Sequence, residues 1–170
     1  MTLTPEAHVL RPITPADHER VLAWNHDHVE LLSPLDEDRL RTLLGWADLG
    51  SVIHDGGRDV GFVLTFASGT AYDSENYRWF AEHSAASGRD AFYYLDRVVV
   101  DSSVRRSGIG SRVYDEIEAR ARTLAPVMCL EVNLDPPNEP SLAFHRGRGY
   151  VEVGQDSATG HLVSLMVKEL

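Results

Sequence analysis

Apolar and polar positions follow two different periods along this chain, and each change of period marks an element. Tyr93-Tyr94-Leu95-Asp96-Arg97-Val98-Val99-Val100 is aromatic and β-branched, the composition of a strand entering the interior of a sheet. Beyond it, Ile109, Val113, Ile117, Ala121 and Leu124 recur at three- and four-residue intervals, which predicts one apolar helix face. Arg112, Asp115, Glu116 and Arg120 fall off that stripe, as a half-buried helix requires. Met128 to Leu134 alternates apolar with mixed residues and reads as the next strand.

Upstream, Val9 to Ile13 reads as a first strand. Thr14-Pro15 reads as a helix cap with proline at the first helical position, opening a helix through Val21, Leu22, Trp24 and Asn25 to about His28. A second helix fits Asp36 to Ala47, with Leu40, Leu43 and Leu44 on one face. Ser51–His54 and Val60–Phe66, separated by Asp55-Gly56-Gly57-Arg58, read as a hairpin. Near the end, Tyr150–Val153 and His161–Val167 are strands joined by the polar loop Gly154 to Gly160. The pattern predicts an α/β (α+β) architecture in a single domain over residues 1–170, a mixed sheet of about seven strands flanked by about four helices.

The stretch Ala67 to Asp90 fits neither period. It carries Tyr72, Tyr77, Trp79 and Phe80, too many large rings for a bare linker. Loops of this length in a compact domain are usually functional or partly helical. Two readings stand: a lid or wall of a pocket, or rings that fill a gap over the sheet.

Composition narrows the function classes. With 43% hydrophobic and 25% charged residues among 170, the chain is ordinary globular material with enough length for a real core. A formal charge of −10 opposes binding to nucleic acid or an anionic membrane and mildly favours a cationic ligand. No apolar run approaches the ~20 residues that cross a bilayer, and the first residues look unlike a secretory leader, so a cytoplasmic location is expected. Cys129 is the only cysteine, which excludes an internal disulfide and a cysteine-based zinc site. His26 and His28 stand at i and i+2, pointing apart on a helix with no third ligand spaced to help, so no metal is expected.

Against this acidic background the basic residues gather in one place. Arg105-Arg106-Ser107-Gly108-Ile109-Gly110-Ser111 is a basic, glycine-containing turn between strand and helix, and Arg112, Arg146 and Arg148 lie close to it or to a later motif. Gly108 and Gly110 lack a Cβ, so backbone N–H groups can approach an anion and the chain can visit positive φ. The following helix adds unpaired N–H groups and a positive dipole end, worth ~0.3–1 kcal/mol to an anion. The dinucleotide fingerprint G-x-G-x-x-G fails because Val113 stands at its third glycine, and the G-x-x-x-x-G-K-[ST] phosphate loop is absent.

The order strand, R-x-x-G-x-G, helix, carried by Arg105, Gly108 and Gly110, resembles the acetyl-CoA signature of the GNAT superfamily of N-acetyltransferases. A second segment supports the resemblance: Asn138, Ser141, Phe144, Gly149 and Tyr150 match the family's N-x-x-S-x-x-F-Y-x-x-x-G-F. His145 departs from it, standing where the family commonly has the tyrosine that protonates the departing thiolate. The resemblance implies a GNAT-like, mostly antiparallel mixed sheet and acetyl-CoA as cosubstrate. It also implies a cofactor surface made of Val98, Val99, Val100, Arg105, Arg106, Ser107, Gly108, Ile109, Gly110, Ser111, Asn138, Ser141 and Phe144. The helix-loop-helix near the start borders the acceptor site in that family, which leaves Asn25, Leu32 and Pro34 as contacts. A homodimer is common in it.

The chemistry of amine acetylation then selects candidates. An amine attacks a thioester only when neutral, so a base, an oxyanion site and an acid for the thiolate are required. On an alternating strand Phe92, Tyr94, Asp96 and Val98 share one face. Asp96, a carboxylate among apolar and aromatic neighbours, is the candidate base, unless it pairs with an arginine, Arg97 of a neighbouring molecule or Arg148. The resemblance aligns the family's glutamate nearer Tyr94, and Glu131 is held in reserve. The oxyanion is expected at a backbone N–H near Val98. His145 is the candidate acid, because imidazole carries a proton near neutrality, with cofactor contact or aromatic packing as its other roles. Tyr77, Trp79, Tyr94 and Asn25 are candidate substrate contacts, and the aromatic stretch around Tyr72, Tyr77 and Trp79 could hold a cation by its ring faces.

The expected function is transfer of the acetyl group of acetyl-CoA to an amine, small-molecule or peptide, by direct attack in a ternary complex. A longer acyl donor stays open. The alternative is a non-catalytic CoA-binding sensor or interaction module with the same fold.

Overall fold

The computed structural model describes residues 7–104 and 107–170. Its seven strands form one sheet in the order β1-β2-β3-β4-β5-β7-β6. In chain order these are β1 (Leu10–Pro12), β2 (Leu49–Asp55), β3 (Arg58–Ala67), β4 (Tyr93–Val100), β5 (Val127–Asn133), β6 (Val151–Asp156) and β7 (Val163–Glu169). The helices are α1 (His18–Asp27), α2 (Glu37–Trp46), α3 (Glu75–Ala86), α4 (Ile109–Arg122) and α5 (Glu139–Gly147). Neighbouring strands are antiparallel except β4 and β5.

Two cores sandwich the sheet. Val21, Trp24, Leu40, Leu43, Tyr77 and Phe80 press α1, α2 and α3 onto one face. Ile109, Val113, Ile117, Ala121 and Leu142 press α4 and α5 onto the other. The stripe on α4 is wider than its spacing predicts, since Tyr114 and Glu118 are also buried, while Leu124 lies past the helix end and is exposed. Glu118 is compensated by Arg148 and Lys168. Burial of apolar area on both faces is the main stabilising force, at about 25 cal/mol per Å².

The stretch from Ala67 to Asp90 is built around a twelve-residue helix, α3, rather than a loop. Ser74 caps it by accepting the Tyr77 N–H, and Tyr77 and Phe80, three residues apart, enter the core. Its rings do fill the space over the sheet: Tyr72 stacks on Phe66 with centroids 4.0 Å apart. Trp79 packs over β6 at Gly154, where a Cβ would come within 2.7 Å of the indole. Only glycine at 154 lets the two surfaces meet this closely.

Two irregularities of β4 create the cleft. Its parallel pairing to β5 covers only Tyr93↔Met128 and Tyr94↔Cys129, after which the strands part. On its other side a bulge interrupts the ladder to β3, because Leu64 pairs with Arg97 and Thr65 with Leu95. Asp96 is the extra residue. A bulge breaks strict alternation, so Asp96 and Arg97 both reach the α1 side and Val98 packs with the opposite core. The expectation that Val98 shares a face with Tyr94 and Asp96 is corrected accordingly.

Candidate active site

The parting of β4 and β5 opens a cavity of about 590 Å³. Leu95–Val99 and Leu130–Asn133 form its back. The α1–α2 connector and residues 72–76 wall one side; Tyr114, Asn138, Ser141 and His145 wall another. Pairing groups of both strands that a continuous sheet would consume are left at this opening.

A chain of polar contacts crosses the cavity. The Asn25 amide donates to the Ser33 carbonyl at 3.0 Å and its oxygen accepts from Arg97 Nη1 at 2.8 Å. Arg97 Nε binds Asp96 at 2.6 Å, and the other oxygen of Asp96 accepts from the Tyr72 hydroxyl at 2.5 Å. The pair is buried, with side chains 6% and 7% exposed, so each charge depends on the other. Asp96 therefore pairs with Arg97 of its own chain; Arg148, the other expected partner, binds Asp115 and Glu118 instead. Burial and the neighbouring Asp96 hold the Tyr72 hydroxyl firmly protonated.

Glu131 differs from Asp96 because no cation among the described residues is bonded to it. It projects from β5 into the opening, and the Tyr94 hydroxyl lies 2.8 and 2.7 Å from its two oxygens. Its deep position and then the negative charge of Asp96 push its pKa up to about 7, while bonds from Tyr94 and Asn76 pull the other way. The result is a carboxylate that takes or gives up a proton near neutrality.

On the α5 side, His145 is 6% exposed. Its Nδ1 lies 2.7 Å from the Ser141 carbonyl and its Nε2 lies 2.7 Å from the Tyr114 hydroxyl. A carbonyl accepts only, so the ring proton sits on Nδ1 and Nε2 accepts from Tyr114. Burial lowers the imidazole pKa and raises that of the Tyr114 phenol. His145 is thus held between two partners, with Tyr114 the donor to its Nε2, and both side chains line the cavity.

Gly108 caps α4 with φ of 83°, a left-handed conformation suited to glycine. Among the described residues, apart from their chain neighbours and the helix backbone, nothing lies within 4 Å of a Cβ position at Gly108 or Gly110. The first-turn N–H groups of this fourteen-residue helix have no intrahelical partner. That is a surface fit for a phosphate. Ser107 and Ser111 are exposed beside it and Ile109 is buried beneath. Arg105 and Arg106 lie outside the described residues.

Of the sequence candidates, Asp96, Val98, Val99, Asn138, Ser141 and His145 line the cavity together. Val100 and Phe144 flank it, Phe144 against Tyr114 with ring centroids 5.0 Å apart. Asn25 and Tyr94 stand behind the wall, acting through Arg97 and Glu131. Tyr77 is turned into the core, where its hydroxyl donates to the Ala67 carbonyl at 2.7 Å. Trp79 lies against β6 and stacks on His83, away from the cleft. Arg112 and Arg148, expected near an anionic ligand, form ion pairs with Asp55 and Glu118. Tyr72, expected as a ring of the pocket wall, does line the cavity. The sequence reading missed Asn76, which sits in a polar stretch, and Tyr114, which sits on the apolar stripe of α4; both line the cavity as well.

The parting strands β4 and β5 thus frame a cleft lined by Asp96, Glu131, Tyr114 and His145. The chain belongs to the acetyltransferase (GNAT) family, whose model matches residues 14–150. No curated protein matches it. Among solved structures it is similar to Ard1 from Thermoplasma volcanium, at 19% identity and a TM-score of 0.70 over 95% of this chain and 96% of that one. It is similar to NAA60 of Arabidopsis thaliana in complex with acetyl-CoA, at 18% identity and 0.68 over 95% and 98%. The ribosomal-protein-alanine N-acetyltransferase of Brucella melitensis is 26% identical, with a TM-score of 0.65 over 95% and 99%. Acetyl-CoA-dependent acetyl transfer is the general activity that this membership carries.

Proposed function

We propose that this chain is an N-acetyltransferase that joins the acetyl group of acetyl-CoA to a primary amine by direct attack, with Glu131 as the base. The observation that carries this reading is the Glu131 carboxyl at the opening of β4 and β5, with a pKa near 7 and Tyr94 fixing its orientation. Asp96 is the weaker candidate, because Arg97 and Tyr72 already occupy both of its oxygens. Its charge serves instead to keep Glu131 basic enough to accept a proton.

The remaining parts follow from the same geometry. The glycine-capped start of α4, with Arg105 and Arg106 beside it in sequence, binds the pyrophosphate of acetyl-CoA. Acetyl-CoA supplies the acetyl group as a thioester. Asn138 and Ser141 line the same cavity as Glu131. Tyr114 returns a proton to the thiolate, and His145, accepting from the Tyr114 hydroxyl, holds it in place. The unpaired edge of β4 at Leu95–Val99 offers backbone N–H groups for the oxyanion.

The test is CoA release from acetyl-CoA across a panel of primary amines, amino acids and peptide N-termini, for the wild type and Glu131→Gln. Turnover that collapses in the variant, with CoA binding retained, supports the reading. Tight CoA binding without turnover on any amine favours the non-catalytic module, and absence of CoA binding overturns the cradle.

A further inference from the structure

We propose that Arg97 is a positioning residue of the cleft, one that governs the proton on Glu131 through Asp96. The catalytic consequence rests on the reading of Glu131 as the base. A buried guanidinium has to be compensated, and the Arg97 side chain is 6% exposed. Three elements hold it. Asn25 of α1 accepts from Nη1 at 2.8 Å, the Ser33 carbonyl of the α1–α2 connector lies 3.4 Å from the same nitrogen, and Asp96 at the bulge of β4 accepts from Nε at 2.6 Å. The Asn25 amide also donates to Ser33, so helix, connector and guanidinium close into one ring of contacts. That ring fixes the cation beside Asp96.

Stability alone does not call for such a pair, since apolar side chains of like size often serve a core as well. The pair lines the cavity together with Glu131, and its two charges act on that carboxyl in opposite senses: Asp96 makes the proton harder to remove, Arg97 easier. The other groups around Glu131 are bonded elsewhere, apolar or exposed. Tyr94 of β4 donates to it, and Tyr72, ahead of α3, donates to Asp96. In the ladder β7 sets Leu165 opposite it. On another wall Tyr114 and His145 are bonded to each other. Glu30, Asp73, Glu75 and His161 of the lining are exposed to water, which screens them, and His28 and Arg39 are partly so. Among the described lining residues, Asp96 and Arg97 are thus the opposite charges that lie close to Glu131 without that screening.

Carboxyl 13C shifts of the free protein labelled at glutamate follow this proton without any acceptor, and the Glu131 signal is the one missing from Glu131→Gln. Arg97→Met leaves two carboxylates in the cleft with no cation between them, and such a pair gives up its last proton at higher pH. The Glu131 midpoint should rise by about one pH unit or more. Arg97→Lys keeps the charge and should titrate closer to the wild type than to Arg97→Met. The paired variant Asp96→Asn/Arg97→Met leaves no uncompensated aspartate, and it should titrate above Asp96→Asn alone, which keeps the test standing if Arg97→Met does not fold. The proposal is overturned if Arg97→Met titrates with or below the wild type, if Arg97→Lys matches Arg97→Met, or if the paired variant matches Asp96→Asn. Altered packing alone would not order these proteins by charge. CoA release is a separate readout: turnover lost in Glu131→Gln upholds the transferase whatever the midpoints, and ordered midpoints without turnover on any amine uphold the role of Arg97 while the base reading fails.

Discussion

The Tyr94 hydroxyl reaches from β4 to both carboxylate oxygens of Glu131 on β5, at 2.8 and 2.7 Å, two residues beyond Cys129, where the backbone pairing of the two strands ends. A side-chain bridge thus takes over where the ladder ends. It holds the carboxyl at the apex of the opening, and the environment there sets its proton affinity.

With Glu131 as the base, kcat/KM for an amine should rise with pH through about 7, because only the ionised carboxylate accepts a proton. Asp96→Asn removes the neighbouring negative charge, so the rise should move to lower pH while activity persists. Glu131→Gln should lower kcat by about 10²–10⁴-fold and abolish the rise. Were Asp96 the base, the two variants would exchange behaviours in the pH–rate profile.

The same carboxyl makes a prediction for stability. Its folded pKa, about 7, lies above the ordinary glutamate value, so the folded state binds the proton more tightly than the unfolded one. The contribution is fully present below the ordinary value and is lost as pH rises through 7. Glu131→Gln should therefore be more stable than the wild type by ~3 kcal/mol at pH 8, with the difference vanishing near pH 4. Urea unfolding of both proteins at the two pH values measures it.

Tyr114→Phe and His145→Phe should each reduce kcat about tenfold or more with little change in acetyl-CoA affinity. They act through one hydrogen bond of 2.7 Å, so the double variant should lose little more than either single one. Additive losses would separate their roles.

Gly108 and Gly110 should respond differently to alanine. At Gly108 the positive φ penalises any side chain, so Gly108→Ala should cost about 1–2 kcal/mol of stability as well as weakening acetyl-CoA binding. Gly110 is helical with open space around it, so Gly110→Ala should leave stability intact. Any loss of affinity there reports contact with the cosubstrate, read by calorimetry beside a thermal melt.

Periodicity made much of this legible. The bounds of β4 and the first residue of α4 follow directly from the apolar pattern, and the glycine turn marks the anion cradle. Asp96 was visible as a buried carboxylate, but the bulge that brings Arg97 to the same side was not, because one inserted residue leaves no trace in a β-branched run. Tyr114 sits on the apolar stripe of α4 and reads as core until α5 places His145 against it. The helix α3 was hidden because Asn76 and Ser84 occupy buried positions, which blurs its apolar stripe. Trp79 was read as a substrate contact for its ring, whereas Gly154 offers that ring a flat seat on the sheet.

That seat ties the acceptor side of the cleft to the far edge of the sheet. Residues 72–76 belong to the start of α3, and α3 is bolted through Trp79 to β6, whose partner β7 is zipped along the whole of β5. The start of α3 and the far edge of the sheet are thus joined through one packing contact. The cleft behaves as a mould cast in advance: an amine is sorted by whether it fits, and a larger side chain at position 154 would retune that fit from the opposite side of the protein without touching the substrate.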